Sequence, residues 1–418
     1  MRPIAISLSP NTEPDDVRLA WRVLLSPWQW QQIDHITGAE QHLSHHLAST
    51  PALLTASGRN AIYTLLRAAG IGQDDEVIIQ AFTCLAVPAA IQWTGARPVY
   101  ADISTETFNL DPTDVARKIT PHTKAIIIQH TFGIPGPLTE LQHLTAQHNI
   151  MLIEDCAHAF GARHRSQPVG TLTDAAIFSF GRDKSFSCVF GGAITSRHMP
   201  LLARAQKLQQ ELPLPPPAWV IQQLMHPILL NLMLPLYFTA RIGPAALVLW
   251  QKMKLLSKAV EPDEKHGVMP PQARFRSSPA LAQLLERQLS KLERYTARRR
   301  AIAARYHTAL AGHGSLPRPL PEAEPSWLRF PLLVEDPALL LQRARRSRLM
   351  LGDWYHLPIA PRCNLADFHY QLGSCPRAEY ASAHVINLPT YPRLTDEQVN
   401  RVIAWVQQHA APANPFAN

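Results

Sequence analysis

Three side chains suited to one chemistry fall at the ends of successive apolar runs. Asp155 follows Ile150-Met151-Leu152-Ile153-Glu154, while Ser179 and Lys184 close the run that starts at Ala175 and continues Phe178-Ser179-Phe180-Gly181-Arg182-Asp183-Lys184. Strands of a parallel sheet present their ligands at their carboxyl ends, so a carboxylate, a hydroxyl and an amine face a shared crevice. Burial disfavours the charged form of a lysine. A neutral amine in a crevice is a nucleophile toward an aldehyde.

An aldehyde cofactor of the pyridoxal phosphate type needs such a lysine, an acid beside its pyridine nitrogen and a cup for its phosphate. Asp155 can keep the ring nitrogen protonated; as a bland alternative it caps the next helix. Once a substrate amine displaces it, Lys184 can carry a proton between the substrate carbon and the cofactor. The turn Thr55-Ala56-Ser57-Gly58-Arg59-Asn60 opens a helix, where free N–H groups and the helix dipole favour a phosphate. The same Ser-Gly is also an ordinary cap. Ser179 is placed to add a hydroxyl. His158, three residues beyond Asp155, can sit beside the ring if the chain turns there.

The elements that must position these groups alternate in the manner of a doubly wound sheet. A helix is predicted over Arg59–Ala69, with strands at Glu76–Ile79, Arg97–Ala101, Ala125–His130 and Ile150–Glu154. The strand ends bring His130 and the turn Phe82-Thr83-Cys84 toward Asp155. The fold class is α/β: a large domain over 1–270, with a mainly parallel mixed sheet flanked by helices, and a smaller α+β domain over 271–418. In the latter, one long amphipathic helix is expected from about Pro279 to Ala311, a strand at Trp327–Val334 and a closing helix at Asp396–His409.

A length of 418 residues and 46% hydrophobic content fit that two-domain plan. Five unevenly spaced cysteines fit neither a disulfide framework nor a zinc site and point to a reducing compartment; no metal is expected. The net charge of +8 admits anionic substrates, membranes or nucleic acid, but no nucleic-acid motif is present. The amino terminus lacks a secretory pattern, so a cytoplasmic location is expected. Between Trp219 and Leu249 the chain is apolar with Arg241 its one charge, interrupted by Pro227, Pro235 and Pro244 and followed by Lys252, Lys254 and Lys258. This insertion, about 213–260, is expected either to lie on an anionic membrane surface, the contact running through 219–250, or to pack on a second subunit or over the active-site mouth.

The motifs Glu154-Asp155-Cys156-Ala157-His158, Ser179 through Lys184, Gly191-Gly192, His130-Thr131-Phe132-Gly133 and Leu388-Pro389-Thr390-Tyr391-Pro392 together resemble the DegT/StrS family of sugar aminotransferases, which are fold type I pyridoxal-phosphate enzymes. The resemblance covers most of 50–200 and 280–410. It implies Lys184 as the Schiff-base lysine, Asp155 at the pyridine nitrogen, His158 beside the ring, and Ser179, Ser57, Gly58, Arg59 and Asn60 around the phosphate. It also implies a homodimer with shared active sites, a keto-sugar substrate and an amino-acid donor, glutamate in most relatives.

Three positions depart from the family pattern: Arg59 where threonine is common, Cys84 where an aromatic stacks on the cofactor, and Arg274-Phe275-Arg276-Ser277 where an asparagine commonly reaches the neighbouring subunit. Either Phe82 takes the stacking role or smaller apolar contacts hold the ring. The segment Gly352 to Pro358 corresponds to a lining of the sugar pocket, with Tyr355 and His356 as substrate contacts and His130 as a third. A sugar dehydratase of the same family would usually carry histidine in place of Lys184. A non-catalytic scaffold has no use for an intact Lys184, Asp155 and Ser179.

Overall fold

Seven strands make the central sheet of the computed structural model, which describes residues 4–237 and 242–412. They are β1 (Ala52–Thr55), β2 (Glu76–Gln80), β3 (Arg97–Ala101), β4 (Thr123–Gln129), β5 (Met151–Asp155), β6 (Ala175–Ser179) and β7 (Gly192–Thr195). Their order is β1-β7-β6-β5-β4-β2-β3. The run from β6 to β3 is parallel, and β7 is antiparallel to both neighbours. Val77-Ile78-Ile79 and Ile126-Ile127-Ile128 are buried on both faces, as expected for a parallel sheet covered by helices on either side. The α/β class and mainly parallel mixed sheet are therefore as the sequence predicts.

Register decides what the sheet presents. Gln129 lies opposite Asp155, and Asp155 opposite Ile177, so these three side chains share a face at the carboxyl end. Helix α1 (Pro14–Leu24) precedes the sheet and α2 (Gly58–Ala68) follows β1. The inserted segment forms α3 (Pro217–Met233) and α4 (Ile242–Lys252). Pro227 does not interrupt α3: it lies buried inside the helix, because a proline costs one backbone bond but the flanking turns remain packed. Pro235 sits in a short 3-10 turn and Pro244 within the first turn of α4.

The helix expected over Pro279–Ala311 is two helices, α5 (Pro279–Leu289) and α6 (Leu292–Ala309). The break falls at Ser290-Lys291, where the Lys291 amine turns toward Glu13, Asp15 and Asp16 at the start of α1, at 3.2, 2.9 and 2.8 Å. Beyond α6, β8 (Arg329–Leu333) pairs antiparallel with β9 (Val385–Pro389), and α7 (Asp396–His409) closes the fold. The strand Ile4–Ala5 pairs in parallel with Leu349–Met350, which ties the amino terminus to the later part of the chain.

The Lys291 clasp yields a test of stability. Burial opposes ionisation of Asp15, but hydrogen bonds from Lys291 and Arg287 overcome it and hold the carboxyl down at about 2. Glu13 is likewise lowered, by Arg294 and Lys291 against burial. A carboxylate with a depressed folded-state pKa contributes stability that is complete above its unfolded value and lost as pH falls through the folded one. The Asp15 contribution therefore survives at pH 4 and disappears toward pH about 2. Lys291→Met strands the carboxylates and should cost about 3 kcal/mol, read by urea unfolding at neutral pH, with the gap between variant and native chain narrowing in acid.

Candidate active site

At the carboxyl end of β4, β5 and β6 lies a cavity of about 460 Å³, lined by Ser57, Gly58, Arg59, Cys84, Gln129, Asp155, His158, Ser179, Lys184, Trp354, Tyr355 and His356 among others. Lys184 sits on the loop between β6 and β7. Its backbone carbonyl accepts a bond from the Asn11 amide at 2.5 Å, which anchors the loop. Its amine is 5.1 Å from the centre of the Trp354 ring. Burial pushes the Lys184 ammonium below the ordinary lysine range, with the Arg329 guanidinium adding to the effect and Cys84 and Asp155 opposing it.

Asp155 is buried at the end of β5 and accepts the Ala157 N–H at 2.9 Å. Burial raises its carboxyl; that backbone bond and the charge of Lys184 pull the other way. A desolvated carboxylate favours any cation placed beside it. The Asp155 side chain thus does turn to its own backbone, in the manner of a cap, while its face remains on the cavity.

His158 has a defined protonation pattern. The Phe132 N–H donates to Nδ1 at 3.2 Å, so Nδ1 is the acceptor nitrogen. Nε2 then carries the proton and faces the Tyr355 hydroxyl oxygen at 3.1 Å. Burial, with Lys184 and Arg329 nearby, drives the imidazolium pKa well down, so the ring is neutral. Trp354 stacks on His158, ring centres 5.4 Å apart, and the Arg329 guanidinium lies 3.5 Å from the Trp354 ring centre. Four side chains from three segments hold one another in a stack.

A phosphate-sized cradle forms where α2 begins. A Cβ on Gly58 would come within 2.8 Å of the Ser179 Cβ, and one on Gly192 within 2.4 Å of the Ser57 carbonyl carbon. Only glycine at both positions lets the first turn of α2 approach the end of β6. The first N–H groups of a helix have no intrahelical acceptor, and those of Gly58 and Arg59 open here. Ser57 is spent as the cap, its Oγ accepting the Asn60 N–H at 3.2 Å. These residues fit pyridoxal phosphate: an amine, a desolvated carboxylate and an N–H cradle edge one cavity.

Four expected site residues stand elsewhere or do other work. Phe82 is fully buried and packs against Phe108, Phe132 and Tyr355; Cys84 is the residue of that turn on the cavity. The Asn60 side chain points into the protein, donating to the Ala273 carbonyl and accepting from Gln209. His130 is one residue past Gln129 and so faces away from Asp155, bonding Glu154 at 3.1 Å and accepting the Gly136 N–H. It cannot reach a substrate in the cavity. Arg59 lines the cavity, but its guanidinium is paired with the buried Glu264 and donates to the Ala259 carbonyl at 2.9 Å. Tyr355 and His356 do line it, with His356 3.6 Å from Asp353.

Sequence reasoning missed Gln129 and Arg329, and did not single out Trp354 within the segment expected to line the pocket. Strand parity offered the first, since Gln129 is in register with Asp155. Nothing local to 354 or 329 announces a stacked indole and guanidinium.

A lysine, a carboxylate and a neutral histidine around a glycine-floored anion cradle, on a mainly parallel sheet, define a fold type I pyridoxal-phosphate transferase. The profile of the DegT/DnrJ/EryC1/StrS aminotransferase family matches residues 12–211 and 256–407, and the chain belongs to that family; it is a pyridoxal-phosphate-dependent aminotransferase. The chain is 28% identical over 392 residues to the dTDP-3-amino-3,4,6-trideoxy-alpha-D-glucose transaminase of Streptomyces venezuelae, covering 93% of this chain and 89% of that one. A transaminase of the same description from Micromonospora megalomicea subsp. nigra is 28% identical over 360 residues, 84% of this chain and 83% of the relative. The structure of S. venezuelae DesV superposes with a TM-score of 0.74 at 26% identity, over 94% of each chain. Spr1654 of Streptococcus pneumoniae, solved in its PLP form, has the same fold with a TM-score of 0.74 at 22% identity, over 97% of each chain. The apolar segment lies in the interval 212–255 that the family profile leaves unmatched.

Proposed function

We propose that the enzyme aminates a keto sugar carried on a nucleotide, taking the amino group from an amino-acid donor, glutamate being the first to test. The observation that carries this reading is the juxtaposition of Lys184, Asp155 and His158 on one cavity, supported by two curated relatives that act on dTDP-linked amino sugars. Pyridoxal phosphate, when bound, supplies an electron sink for the carbanion that transamination requires.

The chain's own residues do the rest. Lys184, with its amine pushed toward the neutral form, would hold the cofactor through its aldehyde carbon, with water as the leaving group, and once released by the donor amine would move the proton. Asp155 holds a positive charge at the ring nitrogen, and His158, neutral and locked between the Phe132 N–H and Tyr355, keeps a fixed ring wall. The N–H groups at Gly58 and Arg59 and the Ser179 hydroxyl take the phosphate. Cys84, rather than an aromatic, borders the cavity at the family's stacking position. Trp354 and His356 border the same cavity, and we assign the sugar to their side of it. We place the enzyme in the family's homodimeric arrangement, with Arg274 exposed and so available to a neighbour.

Loading the purified enzyme with pyridoxal phosphate and supplying glutamate and a panel of dTDP- and UDP-linked keto sugars should give 2-oxoglutarate and an amino sugar from at least one nucleotide sugar, seen by mass spectrometry. Conversion of glutamate with simple α-keto acids alone would remove the sugar reading while leaving the transaminase intact.

A further inference from the structure

The open side of the inserted hairpin goes beyond the catalytic reading. Helix α4 lays Ala246, Leu247 and Trp250 against the cluster of Leu229, Leu230 and Met233 on α3. Val248 and Leu249 on α4 are nevertheless exposed, as is Met253 in the turn just past its end, the last two 54% and 58%. A helix that shows apolar side chains both to its neighbour and to solvent is partnered by something on its open side. Helix α1 packs on α3 as well. It and the turn that follows expose Trp21, Leu25 and Trp28, the last two 69% and 68%.

Charge identifies the partner. There is no aspartate or glutamate between Glu211 and Glu261, while Lys252, Lys254 and Lys258 follow the apolar run. Nor is there one between Asp16 and Asp34, where Arg18 and Arg22 are exposed beside the tryptophans. A second copy of the chain would meet this patch with itself across a two-fold axis, bringing cations against cations. An anionic bilayer surface offers what the patch lacks: an apolar boundary for leucine, methionine and tryptophan, and negative head groups for lysine and arginine. No helix of the described residues is long and apolar enough to cross a membrane, so contact is peripheral. Among the described residues α3 and α4 contribute none to the catalytic cavity; Ala259 and Val260, past the end of α4, do border it.

We propose that α4 and the turn after it dock the enzyme on an anionic lipid bilayer, side chains Leu249 and Met253 entering the interface and Lys252 and Lys254 contacting head groups. The full-length enzyme should co-sediment with phosphatidylglycerol-containing vesicles and not with pure phosphatidylcholine vesicles, and lose binding as salt rises. The double variants Leu249→Glu/Met253→Glu and Lys252→Glu/Lys254→Glu should each weaken partition by at least roughly tenfold, with transaminase activity in solution unchanged. Both pairs are exposed, so folding is not at stake. Failure of the native enzyme to sediment with anionic vesicles overturns the proposal. So does a switch from dimer to monomer in Leu249→Glu/Met253→Glu by light scattering, which would assign the face to a second subunit instead.

Discussion

Lys184→Ala should lower transamination by at least roughly a thousandfold, since a positioned proton-transfer group alone contributes about 10²–10⁴ and this residue also forms the covalent anchor. The amine is pushed toward its neutral form chiefly by burial, so a larger fraction is nucleophilic at neutral pH than for a lysine in water. Borohydride treatment of the loaded native enzyme should fix a pyridoxyl mass on the Lys184 peptide, and the same treatment should leave Lys184→Ala unlabelled. The loop does not depend on this side chain for its anchoring: Asn11 holds the Lys184 backbone carbonyl. Circular dichroism of the variant should therefore match the native enzyme. Full activity in Lys184→Ala, or a label on another lysine, would remove the residue from its assigned role.

Asp155→Asn should reduce kcat by about 10²–10³, the usual effect of removing one preorganised electrostatic partner from a desolvated site. The amide is close to the carboxylate in shape and can still accept the Ala157 N–H bond. It has no charge with which to hold a proton on a ring nitrogen. Because burial raises the carboxyl of Asp155, ionised Asp155 is a cost to the fold that a cation beside it relieves. Asp155→Asn should accordingly unfold at the same or a higher urea concentration than the native apoenzyme, while binding pyridoxal phosphate more weakly by equilibrium dialysis. Unchanged turnover would separate Asp155 from the ring.

Much of this site could be read from residue order, because a strand end is a chemical address. Apolar runs ending in Asp155 and Ser179 locate the carboxyl edge of the sheet, and the glycines at 58 and 192 mark a close approach that side chains would block. What order did not convey is which way a residue turns. His130 and Gln129 are neighbours, yet only Gln129 shares the face of Asp155, and a count by twos along β4 would have chosen it. The sequence leaves the stacking role open between Phe82 and smaller apolar contacts, and three aromatic neighbours claim Phe82 for the core. Trp354 and Arg329 come from distant segments and meet through tertiary packing alone. The long helix split for the same kind of reason, since Lys291 answers to carboxylates on α1 that are remote in the chain.

The pairing of Arg59 with Glu264 carries a consequence for how this sequence can change. Both side chains are largely withdrawn from solvent, and removing one member of such a pair leaves the other charged and unmatched. A neutral residue at position 59 is therefore tolerated only together with a neutral residue at 264, on the segment that follows the hairpin. The two positions form a single heritable unit. Arginine beside the anion cradle is thereby tied to a glutamate more than two hundred residues further along the chain.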